Sequence, residues 1–290
     1  MARDAALSSW TARTRRDAFC DIERFVMFVG YSRSGHSLIG SLLNAHPEIV
    51  IGHQLDALRY LRAGFTRDRI YAMLLIADAR YERRGRVSNK GRYDYSVPEE
   101  WQGRFSRLRV IGDKRGESST NALHEDPLLQ QRLQDVVGVP VLLIHVVRNP
   151  YDNISTMATR YRTSLPVAAD RYFGLCHRVA SIRQRTSGDA WFDLRHEDVI
   201  ADPVTSLRRL CRFLDVLPDE SYLEHCAGIV YDRPHKSRHD APWTPELIQD
   251  VRTRMAAHAF LDGYSFEEPD FEEPETVGEA LEEQTLPPAP

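Results

Sequence analysis

The sequence predicts an α/β fold in three layers, a central parallel sheet of about five strands with helices on both faces, and three observations carry that prediction. Short apolar runs recur along the chain, each too brief for a helix and each closed by glycine, proline or a charged residue. Between them lie stretches of helical spacing, and strands that alternate with helices build parallel sheets covered on both sides. The third observation is size and composition. A chain of 290 residues with 42% hydrophobic and 28% charged side chains is an ordinary globular sequence, long for one core yet within reach of it.

The elements follow in order. The first 20 residues show no sustained periodicity and read as a flexible segment. Phe25 to Gly30 is a continuous apolar run ending in glycine, the pattern of a strand buried on both faces. Leu38, Ile39, Leu42 and Leu43 have helical spacing, and Ile49 to Ile51 forms a second strand after the His46-Pro47 break. Arg67 to Arg84 is an amphipathic helix through Ile70, Met73, Leu74 and Ala77, followed by a polar stretch rich in Gly, Arg and Tyr from Gly85 to Gly103. Residues 62–106 together are read as a variable excursion over the site. Leu108 to Gly112 and Val139 to Val147 are strands flanking a helix from Asp126 to Val137. Helices then run from Pro150 to Tyr161 and from Val167 to Arg185, Trp191 to Leu194 is the fifth strand, and Pro203 to Leu214 and Pro245 to Ala259 are helices that open with proline near the first turn. One folded domain over 21–265 results, and residues 266–290, dominated by Glu and Pro, read as a disordered acidic tail.

Charge narrows the partners. The net charge is −4, but the segment from Tyr264 onward holds nine carboxylates and no Lys or Arg, so removing its −9 leaves a body of +5. A mildly basic body without a long basic stripe suits an anionic ligand in a pocket rather than nucleic acid. No apolar run approaches the ~20 residues that span a bilayer. Arg13, Arg15 and Arg16 lack a following apolar segment, which argues against a secretory leader. The cysteines Cys20, Cys176, Cys211 and Cys226 form no CxxC pair and read as buried, reduced thiols of a cytoplasmic protein. The oligomeric state is not legible.

Two segments carry chemistry. Gly30-Tyr31-Ser32-Arg33-Ser34-Gly35-His36-Ser37 follows a buried strand and opens a helix, where backbone N–H groups cradle a phosphate. The spacing fits the nucleotide-binding GxxxxGK[ST] loop except that His36 stands in place of the lysine, which counts against an ordinary kinase or NTPase. The strand ending at Val147 runs into Arg148-Asn149-Pro150, with Ser155 and Thr156 two turns into the next helix. Arg148 therefore sits at the carboxyl edge of the sheet, where open α/β folds bind ligands, and a guanidinium matches a phosphate.

In these two segments the chain resembles the sulfotransferases that use 3′-phosphoadenosine 5′-phosphosulfate, most closely their tyrosylprotein and glycan branches. The resemblance runs from about Phe25 to Trp243: Arg33-Ser34-Gly35, Leu42-Leu43 and His46-Pro47 in the first part, then Arg148-Asn149-Pro150, and Arg195-His196-Glu197-Asp198 before Asp202-Pro203. It implies a P-loop-like fold in which Arg33, Ser34, Gly35, His36 and Ser37 hold the 5′-phosphosulfate. It also implies that Arg148 holds the 3′-phosphate with Thr156, Ser155 being the second choice. His196 stands where the family has a tyrosine near the nucleotide, and Lys236, Ser237 and Arg238 match a late basic segment that folds over the 3′-phosphate and adenine. The implied product is adenosine 3′,5′-bisphosphate, and no metal is required.

The family's basic carboxylate falls on Gln54, which cannot accept a proton at neutral pH. His53 beside it is the preferred replacement and Asp56 the alternative. Lys114 is one of only three lysines against thirty-five arginines, and with Arg33 it is the expected cation at the sulfate. Tyr81, Arg83, Arg84, Arg86, Tyr93, Tyr95 and Trp101 are candidates for an acceptor pocket. The expected activity is sulfuryl transfer to a hydroxyl of a small molecule, glycan, lipid or peptide. The alternatives are a nucleotide-dependent kinase and a catalytically silent nucleotide-binding protein.

Overall fold

The computed structural model describes residues 2–87 and 93–267. The strands β1 (Arg24–Gly30), β2 (Ile49–His53), β3 (Val110–Lys114), β4 (Val141–Val147) and β5 (Trp191–Arg195) form one parallel sheet in the order β2-β3-β1-β4-β5. Each predicted strand is present with ends shifted by a few residues. The apolar runs are continuous because both faces are covered. Phe25, Met27 and Val29 of β1 enter one core while Val26 and Phe28 enter the other, and β4 divides in the same way.

The helices are α1 (Ala2–Thr14), α2 (His36–Asn44), α3 (Ala57–Arg62), α4 (Arg67–Glu82), α5 (Gly116–Glu125), α6 (Leu129–Val137), α7 (Pro150–Tyr161), α8 (Leu165–Arg185), α9 (His196–Ala201), α10 (Pro203–Phe213), α11 (Glu220–Gly228) and α12 (Pro245–Met255). Apolar residues of α2, α10 and α11 pack on one face of the sheet, and those of α4 to α8 and α12 on the other. The chain leaves β1 toward β2 on one side and leaves β4 toward β5 on the other. The crevice between the carboxyl ends of β1 and β4 is thus the switch point of the topology, where open α/β sheets take their ligands.

Three differences from the sequence reading have physical causes. Residues 2–14, expected to be flexible, form α1, which lies on α4 and touches α3: Arg69 of α4 donates to the buried Ser8 at 3.2 Å and Tyr60 of α3 to Asp4 at 3.1 Å. Its apolar contacts with the core come from the small side chains Ala5 and Ala12, which leave little apolar periodicity in the sequence. Helices α3, α5, α9 and α11 were not expected. Two of them are only six residues long, and α5 opens Gly-Glu-Ser-Ser-Thr-Asn, residues that favour turns over helix interiors. Phe266, placed in the tail by composition, packs against Tyr151 and Trp243, while 268–290, where the rest of the expected tail falls, lie outside the described residues. Cys176, Cys211 and Cys226 are buried free thiols as expected, but Cys20 is exposed. Among the described residues no helix is long and apolar enough to cross a membrane.

Candidate active site

The loop after β1 is shaped from within. Gly30 and Gly35 have φ of 119° and 105°, in the region that glycine alone enters without strain, and Arg33 is held at φ 74°. Ser34 donates to the carbonyl of Tyr31 at 3.0 Å. His36 turns beneath the loop, its Nε2 lying 3.1 Å from the carbonyl oxygen of Val29 and its ring edge-on to Phe28. Burial lowers its pKa to about 3, so it is neutral and cannot act as the missing P-loop lysine. The Ser34 and His36 side chains therefore build the loop, and its outward face consists of Arg33, backbone N–H groups at the start of α2, and Ser37.

β2 and β3 deliver the next two groups side by side, because the parallel register pairs His53 with Lys114. Lys114 is buried and its Nζ donates to Ser37 Oγ at 2.8 Å, joining β3 to the loop. Burial, opposed by Asp113 and reinforced by Arg115 and Arg33, lowers its pKa to about 7. His53 is half-buried with its ring stacked on Tyr81 at 3.6 Å. Burial, then Lys114, Arg86 and Arg84, lower its pKa to about 3 and keep it unprotonated. Asp113 is spent on the backbone, accepting from Leu55 N–H at 3.1 Å and Ala57 N–H at 2.7 Å, which shapes the turn after β2.

A second group converges from β4, α7 and the segment before α12. The Arg148 guanidinium is buried, donating to the carbonyl of His235 at 2.6 Å and to Ser237 Oγ at 3.2 Å. Its other nitrogen lies 3.4 Å from both Thr156 Oγ1 and the carbonyl of Arg33. Thr156 donates to the carbonyl of Asp152 at 2.8 Å, and its Oγ1 lies 3.1 Å from Ser237 Oγ. One cation and two hydroxyls thus meet at one point beside the β1 loop. Pro150 at the head of α7 and the Asn149 cap, which accepts from Tyr151 N–H at 3.0 Å, start the helix that brings Thr156 there.

Not every expected residue joins these groups. Ser155 donates to the carbonyl of Tyr151 and accepts from the Trp243 indole at 2.9 Å, so it belongs to packing behind the site. Asp56 caps α3, accepting from Arg59 N–H at 3.3 Å, and lines a surface cavity of about 340 Å³ between α3 and α5 rather than the crevice. Arg238 is buried against Asp152, at 2.5 Å from side chain to side chain, and fastens the late segment to α7 instead of presenting a cation. Lys236 is half-buried at the start of the same turn. Of the acceptor-pocket candidates, Arg86 is removed by a buried ion pair with Asp78, two contacts of 3.0 Å. Tyr95 lies close enough to Arg33 to feel its charge.

Two residues escaped sequence reasoning. Asn153 donates to the carbonyl of Ser32 at 3.1 Å, and Tyr161 donates to Ser32 Oγ at 2.8 Å, so α7 braces the loop along its length. Asn153 follows the cap Asn149 by four residues and precedes Thr156 by three, and that spacing was the available signal for it, whereas no local spacing marks Tyr161. The arrangement also fits a bound anion. His196 Nδ1 is buried with no hydrogen-bond partner among the described residues, and it lies against Gly35, where a Cβ would come within 2.6 Å of it. Buried polar atoms are seldom left unpaired without a role.

Residues 141–220, from β4 to the first residue of α11, match the sulfotransferase family model. No curated protein matches the chain. A solved sulfotransferase from Mycobacterium avium aligns at 13% identity over 87% of this chain and 80% of its own, with a TM-score of 0.50. The sulfotransferase domain of the Synechococcus olefin synthase gives 18% identity over 80% and 88%, with a TM-score of 0.45. A mouse sulfotransferase solved with PAP gives 11% over 83% and 87%, with a TM-score of 0.44. The matched segment contains Arg148, Thr156 and His196, and the chain has the α/β fold of the sulfotransferases.

Proposed function

We propose that the protein is a sulfotransferase that uses 3′-phosphoadenosine 5′-phosphosulfate and an acceptor hydroxyl. The observation that carries this reading is the pair of anion-binding groups flanking the β1/β4 crevice. Arg33, the start of α2, Ser37 and Lys114 form one, and Arg148, Thr156 and Ser237 form the other. A donor with phosphates at both ends of its ribose requires two such groups, whereas a nucleoside triphosphate requires one loop with a lysine that this chain lacks. His196 Nδ1, buried beside the loop, supplies a further polar contact.

The donor contributes a sulfuryl group on a phosphate leaving oxygen. Lys114 and Arg33 stabilise the charge that grows on that oxygen as its bond to sulfur breaks. His53, unprotonated and next to Lys114 in register, takes the proton of the acceptor hydroxyl as the new bond from oxygen to sulfur forms. Negative charge seated between Lys114 and Arg33 offsets the cations that lower the basicity of His53. Within the family we favour the tyrosylprotein and glycan branches on the Arg33-Ser34-Gly35, Leu42-Leu43 and His46-Pro47 pattern, with a reaction in the cytoplasm, where the free thiols remain reduced.

The test is transfer of labelled sulfate from the donor across a panel of phenolic, sugar, lipid and peptide hydroxyls, beside calorimetry with adenosine 3′,5′-bisphosphate. Binding of the bisphosphate in preference to adenosine 5′-monophosphate, together with turnover on one acceptor class, is expected. Binding without turnover across the panel supports a silent nucleotide-binding protein, and preference for ATP overturns the reading.

A further inference from the structure

His53 lacks the support that orients most catalytic histidines. A base imidazole is commonly held by a carboxylate or carbonyl on its far nitrogen, which fixes both tautomer and ring plane. Among the described residues nothing hydrogen-bonds to the His53 ring. The charges that act on it are all cationic, Lys114 on β3 and Arg86 and Arg84 beyond α4, and Tyr81 on α4 lies against its ring. A carboxylate here would form an ion pair with those cations and compete with an anionic donor. The imidazole instead lies flat on Tyr81, with centroids 3.6 Å apart and planes 14° from parallel.

Tyr81 is itself fixed. It is buried, and its hydroxyl donates to the carbonyl of Arg86 at 3.0 Å. That carbonyl does not move freely, because the Arg86 side chain is 1% exposed and is gripped by Asp78 through both carboxylate oxygens, by Glu82 and by the carbonyl of Gln102. Asp78 also accepts from Asn44 at 3.0 Å, so the brace is anchored in α2, the helix that opens at the phosphate loop. The path from the loop helix to the base is therefore continuous, through Asn44, Asp78, Arg86 and Tyr81 to His53.

We infer that Tyr81 is the positioning residue for the His53 imidazole, holding its plane by ring stacking where other enzymes use a hydrogen-bonded carboxylate. The inference rests on the reading of His53 as the base, and stacking of this kind orients a ring without adding charge. Ring contact also shields the imidazole from water. Removing it admits solvent and raises the histidine pKa toward its ordinary value.

The experiment is proton NMR of the His53 imidazole through a pH titration in the full chain, beside steady-state transfer kinetics, for wild type, Tyr81→Leu and Tyr81→Phe. In wild type the His53 Hε1 resonance is expected well upfield, from the Tyr81 ring current, with a low titration midpoint. In Tyr81→Leu the upfield displacement disappears, the midpoint rises toward about 6.5, and kcat falls about tenfold to a hundredfold, while affinity for adenosine 3′,5′-bisphosphate is kept. Tyr81→Phe keeps the stacked ring and loses the hydroxyl bond to the Arg86 carbonyl, so the upfield resonance and low midpoint are retained and kcat lies well above that of Tyr81→Leu. An unchanged Hε1 resonance and midpoint in Tyr81→Leu overturn the inference. So does a Tyr81→Phe variant as slow as His53→Ala, which also decides the matter if Tyr81→Leu does not fold. Normal turnover of His53→Ala instead removes the base assignment, and the NMR arm still reports whether Tyr81 holds the ring.

Discussion

Binding of adenosine 3′,5′-bisphosphate is expected to take up a proton at Lys114, and the dependence on pH has a definite sign. In the free protein this amine is buried at the end of β3 with a pKa of about 7, pushed down mainly by burial. A base whose pKa is lowered loses its charge as pH rises, so the unliganded site becomes a poorer anion binder on the alkaline side. A phosphate beside Nζ favours the charged amine and restores the proton. If the bound amine stays charged, uptake is about half a proton at pH ~7 and about 0.9 at pH ~8, and affinity falls by up to about tenfold per pH unit above that point. Neighbouring groups do not obscure the effect. His36, His53 and His196 are all held at about 3, and the second ionisation of a phosphate, near ~6, is largely complete.

Calorimetry from pH ~6.5 to ~9, in pairs of buffers with different ionisation enthalpies, reads the uptake directly. Lys114→Arg remains charged throughout and should show flat affinity with no buffer dependence. If the wild type gives the same flat affinity and buffer-independent enthalpy, the amine is charged before binding and the electrostatic picture of the crevice is wrong. The same lowered pKa has a consequence for folding. The folded state resists a proton that the unfolded chain accepts up to about 10.5, so the penalty is complete below about pH 7 and is relieved as pH rises toward 10.5. Lys114→Met should therefore raise the melting temperature of the unliganded protein at neutral pH.

Arg148→Ala should weaken the bisphosphate about tenfold to a hundredfold, the usual worth of a charge-assisted contact, and should reduce discrimination against nucleotides that lack the 3′-phosphate. Unchanged affinity by calorimetry would remove Arg148 from the site. Gly35→Ala places a methyl within 2.6 Å of His196 Nδ1 at φ 105°. It is expected to abolish bisphosphate binding while leaving the far-ultraviolet circular dichroism intact, and normal affinity would show that the loop is not where the ligand sits. Arg86→Met leaves Asp78 buried without its partner, which costs about 3–5 kcal/mol in comparable cases. Urea unfolding that gives a loss below about 1 kcal/mol would mean the pair does not brace the excursion.

How much of this was legible depends on what each residue answers to. The strands were readable because burial on both faces demands uninterrupted apolar residues, and Phe25 to Gly30 and Val141 to Val147 satisfy that demand almost without exception. Arg148 was readable because a strand ends there at the carboxyl edge of the sheet, whereas Thr156 was preferred to Ser155 only through the resemblance, since local spacing does not separate two adjacent hydroxyls. The role of Arg238 was not readable. Its charge is cancelled by Asp152, 86 positions away, and no local pattern records a partner at that distance. Arg86 misled for a different reason: it was a candidate for the acceptor pocket, and although Asp78 is only eight positions away, Asp78 lies inside a helical pattern that gives no sign of the buried pair.

His36 shows why substitutions within a motif need a structure before they are interpreted. As a letter in the loop it replaces a cation that binds phosphate, and a protonated imidazole there would be a plausible substitute. In place, its ring occupies the space under the loop, against Phe28 and the Val29 carbonyl, and the adjoining turn leaves no room above Gly116, where a Cβ would come within 2.4 Å of the imidazole. The residue that reaches the loop hydroxyl is Lys114, supplied by a neighbouring strand rather than by the loop itself. Lys114 is carried on the strand next to β2 and pairs in register with His53, the proposed base. Under the proposed function the two residues divide the work: His36 shapes the loop from beneath, and Lys114 on β3 is the cation at the leaving oxygen, beside the proposed base His53.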